Sequence, residues 1–477
     1  MIDAKSYRQQ LDLEQQLPSV LDELQNAPLG DKRRVERMLD IVEMLHDDPA
    51  QSFPEAVNGN DAALKGLYRF FSNPAVTMES ELKPHFEATF KRVETVGRCF
   101  AVHDTSELSF AVNNDVPTRK GLDHPSTRTQ CLRIHPTLMV AANGSRLPLG
   151  LAAMMTWART PEDSRQRPQH WAERDRWFEQ ALAVEEHSPE GAEIIHLMDR
   201  DADSYDLLAI LVEAGARFVV RMKHNRNLSA PTDTKIIEAL QHKGKSGERT
   251  ITLSRRTTNR SPSDKKKHPP RETRTARVAV RATEVEFERT GTSTKTEIDR
   301  LRLNVVEVSE IDVPDGEDPV AWYLLTTEPI DTVEQCWQVV DDYCARWTIE
   351  EYFHSLKTGC ALEDRQLQSR DALETMLGIM LPLAWRVLLM RHLPRISPDA
   401  DAQVLFAETE LEILREVTHR PMDETPSLKQ ACWAMAALGG HLKRSGPPGW
   451  KTLWKGFRKL RQRHQGYLMA LRRSGQR

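Results

Sequence analysis

Apolar residues along this 477-residue chain recur first at helical, then at strand, then again at helical spacing. Residues 1–28 carry a loose helical periodicity, after which Asp31 caps a helix with the apolar stripe Val35, Met38, Leu39, Val42 and Leu45. A second short helix turns Leu64, Leu67, Tyr68 and Phe71 inward and ends at Asn73-Pro74. Arg33 and Arg37 point away from the first stripe, and Arg69 is free to face outward from the second. From Cys99 the period changes to two. Residues 99–102 form a short strand running into His103 and Asp104, and residues 132–141 and 147–157 flank an Asn143-Gly144 turn as a hairpin. Residues 171–184 read as an amphipathic helix, 193–198 as a strand ending at Asp199, 205–214 as a helix and 218–221 as a strand.

Strand, hairpin, helix, strand, helix, strand is the element order of a ribonuclease-H-like α/β domain. It puts Asp104 and Asp199 at the carboxyl ends of two strands that can lie side by side. Residues 225 to 318 then read as a β-rich insertion with an exposed basic loop, and residues 319–327 return as a strand bearing Trp322. A long helix follows, with Asp331 and Glu334 as its capping box and Gly359 as its stop. On a regular helix Tyr343, Arg346, Glu350 and Lys357 fall within about 60° of one another, with Trp347 on the same side. Ala345, Ile349, Tyr352, Phe353 and Leu356 face the other way. The rest is helical, closing with a helix whose apolar stripe is Trp450, Leu453, Trp454, Phe457 and Leu460. That stripe suits either packing on its own domain or contact between subunits. The expected division is an N-terminal helical domain (1–78), an α/β catalytic domain (79–386) and a C-terminal helical domain (387–477).

Composition refines this picture modestly. Charged residues at 29% and hydrophobic ones at 39% are a globular balance. No run of about 18 apolar residues and no signal peptide stand out, so a cytoplasmic protein with no membrane partner is expected. The six cysteines (99, 131, 336, 344, 360 and 432) are scattered, none at metal-knuckle spacing, and read as reduced and mostly buried. Net charge is −4, but it is segregated: residues 249–281 hold eleven Lys or Arg against two acids, and residues 443–477 eleven against none. Local basic surfaces of this kind are what a polyanion meets.

The candidate chemistry is phosphodiester transfer. Three carboxylates without Cys or His favour hard divalent ions, Mg²⁺ with Mn²⁺ as a substitute. Asp104, Asp199 and Glu350 are the candidates, although Asp104 also reads as a turn cap before Glu107, Asp201 and Asp203 compete with Asp199, and Glu351 with Glu350. Arg346 and Lys357 suit DNA phosphates, one as a planar fork and one as a point charge. Arg221 and Lys223, at a strand end, are further candidates for backbone contact.

The spacing Tyr343, Arg346, Glu350, Lys357 resembles the Tyr-Arg-Glu-Lys signature of bacterial insertion-sequence transposases that cut and paste through a DNA hairpin. Leu29-Gly-Asp31, Tyr68-Arg-Phe70, Asp199-Arg-Asp-Ala-Asp203, Arg217-Phe-Val-Val-Arg221, Trp322 and Leu438-Gly-Gly440 extend the resemblance through most of the chain. It implies a metal-dependent DDE transposase acting on double-stranded DNA, both transposon ends and target, as a homodimer in the DNA complex, with an N-terminal DNA-binding domain and with residues 387–477 as the dimerisation domain. It also implies that Arg37 and Arg69 read the transposon end. Tyr343, Arg346 and Lys357 would clamp the phosphate beside the cut, and Trp322, with Trp347 near it, would receive a flipped base. Otherwise Trp322 is a core tryptophan. His103 stands where an acid is expected. A catalytically silent DNA-binding regulator descended from such an enzyme is the alternative.

Overall fold

The computed structural model describes residues 20–46, 48–112, 118–160, 172–229, 234–256, 270–289, 291, 293, 295–442 and 448–474. The periodicity assigned to residues 1–19 and the Lys265–Lys267 loop lie outside these. Among the described residues five helices come first: α1 (Val20–Leu24), α2 (Lys32–His46), α3 (Phe53–Ala56), α4 (Asp61–Phe71) and α5 (Met78–Val96). Asp31 does cap α2, accepting from the Arg33 amide at 2.9 Å, and Asn60 caps α4. Met38, Ile41, Val42 and Leu45 are the buried positions of α2, while Val35 and Leu39 are only partly covered.

One mixed sheet follows. Its strands are β1 (Arg98–His103), β2 (Ser106–Ala111), β3 (Asp123–Ser126), β4 (Thr129–Ala141), β5 (Pro148–Trp157), β6 (Glu193–Met198), β7 (Arg217–Arg221), β8 (Ser246–Leu253), β9 (Arg274–Glu288), β10 (Arg300–Ile311) and β11 (Ala321–Thr326). Helices α6 (Arg176–His187) and α7 (Tyr205–Glu213) connect β5 to β6 and β6 to β7, and α8 (Ile236–Gln241) precedes β8. The order is β2-β4-β1-β6-β7-β11-β10-β9-β8, with β3 and β5 also pairing with β4. Only β1 with β6 and β6 with β7 run parallel. Strands β2 and β3 went unread in the sequence because each is short and the two lie either side of a break in the pattern. Within the span read as a β-rich insertion, β8, β9 and β10 continue the same sheet beyond β11.

Four of the arginines counted there meet acids. Arg274 pairs with Glu310, Arg277 with Glu248 and Asp312, Arg281 with Glu307, and Arg249 with Asp341. For Arg274, Arg277 and Arg281 the acid comes from a neighbouring strand or its end, and for Arg249 from the helix Val333–Cys344, so part of the charge counted along the chain is offset.

The helical region after β11 comprises α9 (Val333–Cys344), α10 (Trp347–His354), α11 (Arg370–Ile396), α12 (Glu408–Val417), α13 (Leu428–Leu438) and α14 (Trp450–Ser474). The expected single long helix is therefore interrupted. Thr332 and Gln335, not Asp331 and Glu334, form its capping box. Through Ala345, Arg346, Thr348 and Ile349 the backbone tightens to i→i−3 bonds, and residues Ser355–Gly359 widen into a π-helical turn. The reversal after it is made by Ala361, at φ 46°, rather than by Gly359.

Helix α11 is long and apolar enough to cross a membrane, which the sequence reading overlooked, but 89% of its apolar window is buried against the protein. All six cysteines are free, and five are buried. On α14, Phe457 and Leu460 are buried in this chain's own core and Leu453 and Trp454 pack against it. The α13–α14 contact is backbone to backbone, for a Cβ added at Gly456 would meet the Met435 carbonyl oxygen at 2.0 Å. Leu453, Trp454, Phe457 and Leu460 of that stripe thus pack within the chain.

Between α5 and α11 sits Glu81, fully buried and with neither carboxylate oxygen hydrogen-bonded. Gly378 makes room for it, since a Cβ there would meet Glu81 Oε2 at 2.2 Å. Burial pushes this carboxyl well above its ordinary 4.5, so it is held neutral. A folded-state value above the unfolded one means that its contribution is complete below pH 4.5 and is lost as pH rises through the folded value. Glu81→Gln should therefore gain on the wild type between about pH 5 and pH 8, by about 1–3 kcal/mol at the upper end. Thermal unfolding across that range checks it, and a variant-to-wild-type difference flat in pH would contradict it.

Candidate active site

The parallel pairing of β1 with β6 sets Val102 opposite Leu197. Two residues on, Asp104 and Asp199 leave the sheet side by side at its carboxyl edge. Glu350 arrives from α10. Asp104 takes a hydrogen bond from the Thr105 amide at 2.8 Å, and Asp199 takes one from the Asp201 amide at 2.8 Å, which folds the following turn. Arg346 reaches across: Nη1 donates to Asp104 Oδ2 at 2.7 Å, and Nη2 lies 3.5 Å from Glu350 Oε1. The structure thus brings together Asp104, Asp199, Glu350 and Arg346.

Charge is concentrated here. Burial raises Asp104 to about 6, with Arg346 pulling it down while Asp199 and Glu350 push it up. Burial likewise raises Asp199, partly offset by its backbone hydrogen bond and by Arg346 and Arg176. Burial alone would depress the Arg346 guanidinium, but Asp104, Tyr343 and Glu350 together hold it above its ordinary value. Glu350 is more open than Asp104, with side-chain exposures of 40% and 13%.

The competing acids separate by environment. Asp203 is buried, accepting from the amides of Lys223 (2.6 Å) and His224 (2.8 Å) and pairing with Arg226 at 2.6 Å. Its work is to hold the turn after β7. Asp201 is 63% exposed and pairs with Lys223. Glu351 binds Arg391 and His392 on the opposite side of α10 and ties that helix to α11.

The remaining candidates fall into three places. Tyr343 is not on a solvated face: it is 5% exposed, meets Trp322 edge-on at 5.8 Å and lies within the electrostatic reach of Arg346 and Arg221. Arg221 in turn stacks over the Trp322 ring at 5.6 Å. Tyr343 lies in the last turn of α9, just before the tightened stretch at Ala345–Arg346. Trp347 projects into solvent, 65% exposed. Lys357, in the π turn, donates to the Glu107 carbonyl and lies 3.6 Å from Glu363. Arg37 and Arg69 are both exposed, far along the chain in α2 and α4. Arg37 lies over Gly66, one turn before Arg69, so the two share a flank of the N-terminal helices.

Sequence reasoning missed what supports Asp104 from behind. Arg176, buried between the Trp157 and Trp177 rings, donates to the Thr105 hydroxyl at 2.9 Å. Three fully buried histidines underlie the same strands: His103 meets His196 at 2.8 Å, His196 meets Glu185, and His135 meets Thr105. His103, where an acid was expected, therefore belongs to the core. No local signal marks these residues, because their partners come from four separate segments.

In charge and donor chemistry, three oxygen-only side chains under mutual repulsion fit a hard divalent ion. Among the described residues no three Asp, Glu, His or Cys side chains are gathered closely enough to hold one ion as they stand. The bridging guanidinium of Arg346 takes the place of the counter-charge.

Two family comparisons match the chain: transposase DNA-binding over residues 20–76, and transposase DDE domain over residues 179–384. The first span holds Arg37 and Arg69; the second holds Asp199, Arg221, Lys223, Trp322, Tyr343, Arg346, Trp347, Glu350 and Lys357. Asp104 precedes it.

The separation of the acids is testable by stability. Asp203→Ala leaves Arg226 and two amides without their partner and should cost about 3–5 kcal/mol. Asp201→Ala should stay within about 0.5 kcal/mol. Thermal or urea unfolding compares them, and equal effects would contradict the assignment.

Proposed function

The chain being a transposase with a DNA-binding domain and a DDE catalytic domain, we propose that it excises a mobile element by metal-dependent strand cleavage through a hairpin and joins its 3′-hydroxyl ends to target DNA. The observation that carries this reading is the meeting of Asp104, Asp199 and Glu350 around one arginine at the carboxyl edge of parallel strands. The strand order β5-β4-β1-β6-β7, antiparallel and then parallel, supports a ribonuclease-H-like core. The motif order supports likeness to the transposase of the composite kanamycin-resistance transposon. The three-part division at 78 and 386 and a cytoplasmic location belong to the same reading.

Asp104, Asp199 and Glu350 are the residues that would hold Mg²⁺, or Mn²⁺ in its place. Bound there, divalent ions supply an activated oxygen nucleophile and a stabilised leaving oxygen for in-line displacement. Asp104 and Asp199, fixed by amide hydrogen bonds at strand ends, set the position of the reacting phosphate. Arg346 and Lys357 bind the neighbouring phosphates, and Arg221 and Lys223 extend that track. Trp322, already stacked under Arg221, offers a face to an unstacked base; Trp347 offers another. Water first cuts one strand and frees a 3′-hydroxyl. That hydroxyl attacks the opposite strand to close a hairpin, a second water reopens it, and the 3′-hydroxyl then attacks target DNA. Arg37 and Arg69 would hold the element's end, with a second copy of the chain holding the other end in a dimer.

Purified protein incubated with Mg²⁺ and a linear DNA carrying the element's own ends should give hairpin-ended fragments on a denaturing gel. Glu350→Ala should lower their formation on the order of 10⁴-fold, as expected when one member of a group acting as a unit is removed. If both proteins shift the DNA on a native gel and neither cuts it, the chain is a silent DNA-binding regulator.

A further inference from the structure

The cations expected to grip DNA are not idle in the DNA-free chain. Arg346 is shared between Asp104 and Glu350, and Lys357 between the Glu107 carbonyl and Glu363. The Arg346–Asp104 pair is largely shielded, with side-chain exposures of 15% and 13%. Such a pair is strongly held, because either partner alone would be left as an uncompensated charge. The guanidinium therefore lies where an ion binding both Asp104 and Glu350 would have to enter.

We propose that Arg346 is a displaceable counter-ion: it closes the acid cluster to divalent metal until a DNA phosphate draws it away, so that metal loading is conditional on DNA. This rests on the metal-dependent reading above. The exchange is balanced in charge. Before DNA, one guanidinium offsets part of the negative charge of Asp104, Asp199 and Glu350. Afterwards the guanidinium leaves with a phosphate, whose two free oxygens match its planar fork as well as a carboxylate does, and divalent ions take over the acids. Glu350, the more open partner at the longer distance, is released first; Asp104 follows. The consequence is that a DNA-free chain holds little metal and cannot hydrolyse DNA it has not gripped.

The coupling is reciprocal, as any binding linkage must be: DNA strengthens metal binding by the factor by which metal strengthens DNA binding. The test is Mn²⁺ binding to the full chain, read by the electron paramagnetic resonance signal of free Mn²⁺. It compares wild type without DNA, wild type with a duplex from the ends of its own element, and Arg346→Gln without DNA. Arg346→Gln and the wild-type DNA complex are both expected to bind Mn²⁺ about 10-fold or more tightly than the DNA-free wild type, within the usual span of coupling between sites. Arg346→Lys keeps the charge and should remain weak, which separates removal of the plug from general loosening; unfolding midpoints for both variants check that they fold. Equal Mn²⁺ affinity in DNA-free wild type and Arg346→Gln would overturn the gating role while leaving the metal site intact. If the wild-type DNA complex binds no Mn²⁺ above the level of Glu350→Ala, the metal reading itself fails and the gating role fails with it.

Discussion

Two aspartates leave neighbouring parallel strands at the same level, and their like charge must be offset for the sheet edge to exist as it does. Everything around Asp104 and Asp199 answers that repulsion. From the front Arg346 takes Asp104 at 2.7 Å and leans on Glu350. From behind, Arg176 is fixed between two tryptophan rings and steadies Thr105, whose amide in turn binds Asp104. The first cation keeps 15% of its side chain exposed. The second is buried between its two rings.

The sheet makes this arrangement possible because its registers are locked by burial on both faces. β1 and β6 are almost wholly buried, so a slip of one residue would turn each apolar set out of its layer. The helices then deliver the third acid with a deliberate irregularity. A tight turn at Ala345–Arg346 and a wide π turn at Ser355–Gly359 bracket α10, one overwinding and the other underwinding the same stretch. Between them Glu350 faces the aspartates while Glu351, one residue on, clips α10 to α11.

Much of this was legible in the sequence. Strand β6 was read to the residue, and β1, the β4–β5 hairpin, α7 and β7 to within a few, because their apolar runs have a clear period and end at Asp, Gly or Asn. Asp199 was separable from Asp201 by its place at the strand end. What failed had a shared cause: it depended on partners distant in sequence. The long helix breaks at Arg346, which reaches Asp104, 242 residues away, and Tyr343 is buried against Trp322 of β11. The basic look of the β8–β10 region is partly offset, because Arg274, Arg277 and Arg281 meet acids only across strands. Arg176 and the three buried histidines carry no local pattern at all.

The proposed metal centre of Asp104, Asp199 and Glu350 is tested most directly by where a bound redox-active ion cuts the chain. Iron(II) substituted into the DNA-bound protein, with ascorbate and peroxide, cuts the polypeptide next to the groups that hold the ion. Fragments ending near residues 104, 199 and 350 together, lost in Asp199→Asn and competed away by Mg²⁺, are the predicted result. Cuts that fall elsewhere, or that persist unchanged in Asp199→Asn, would contradict it.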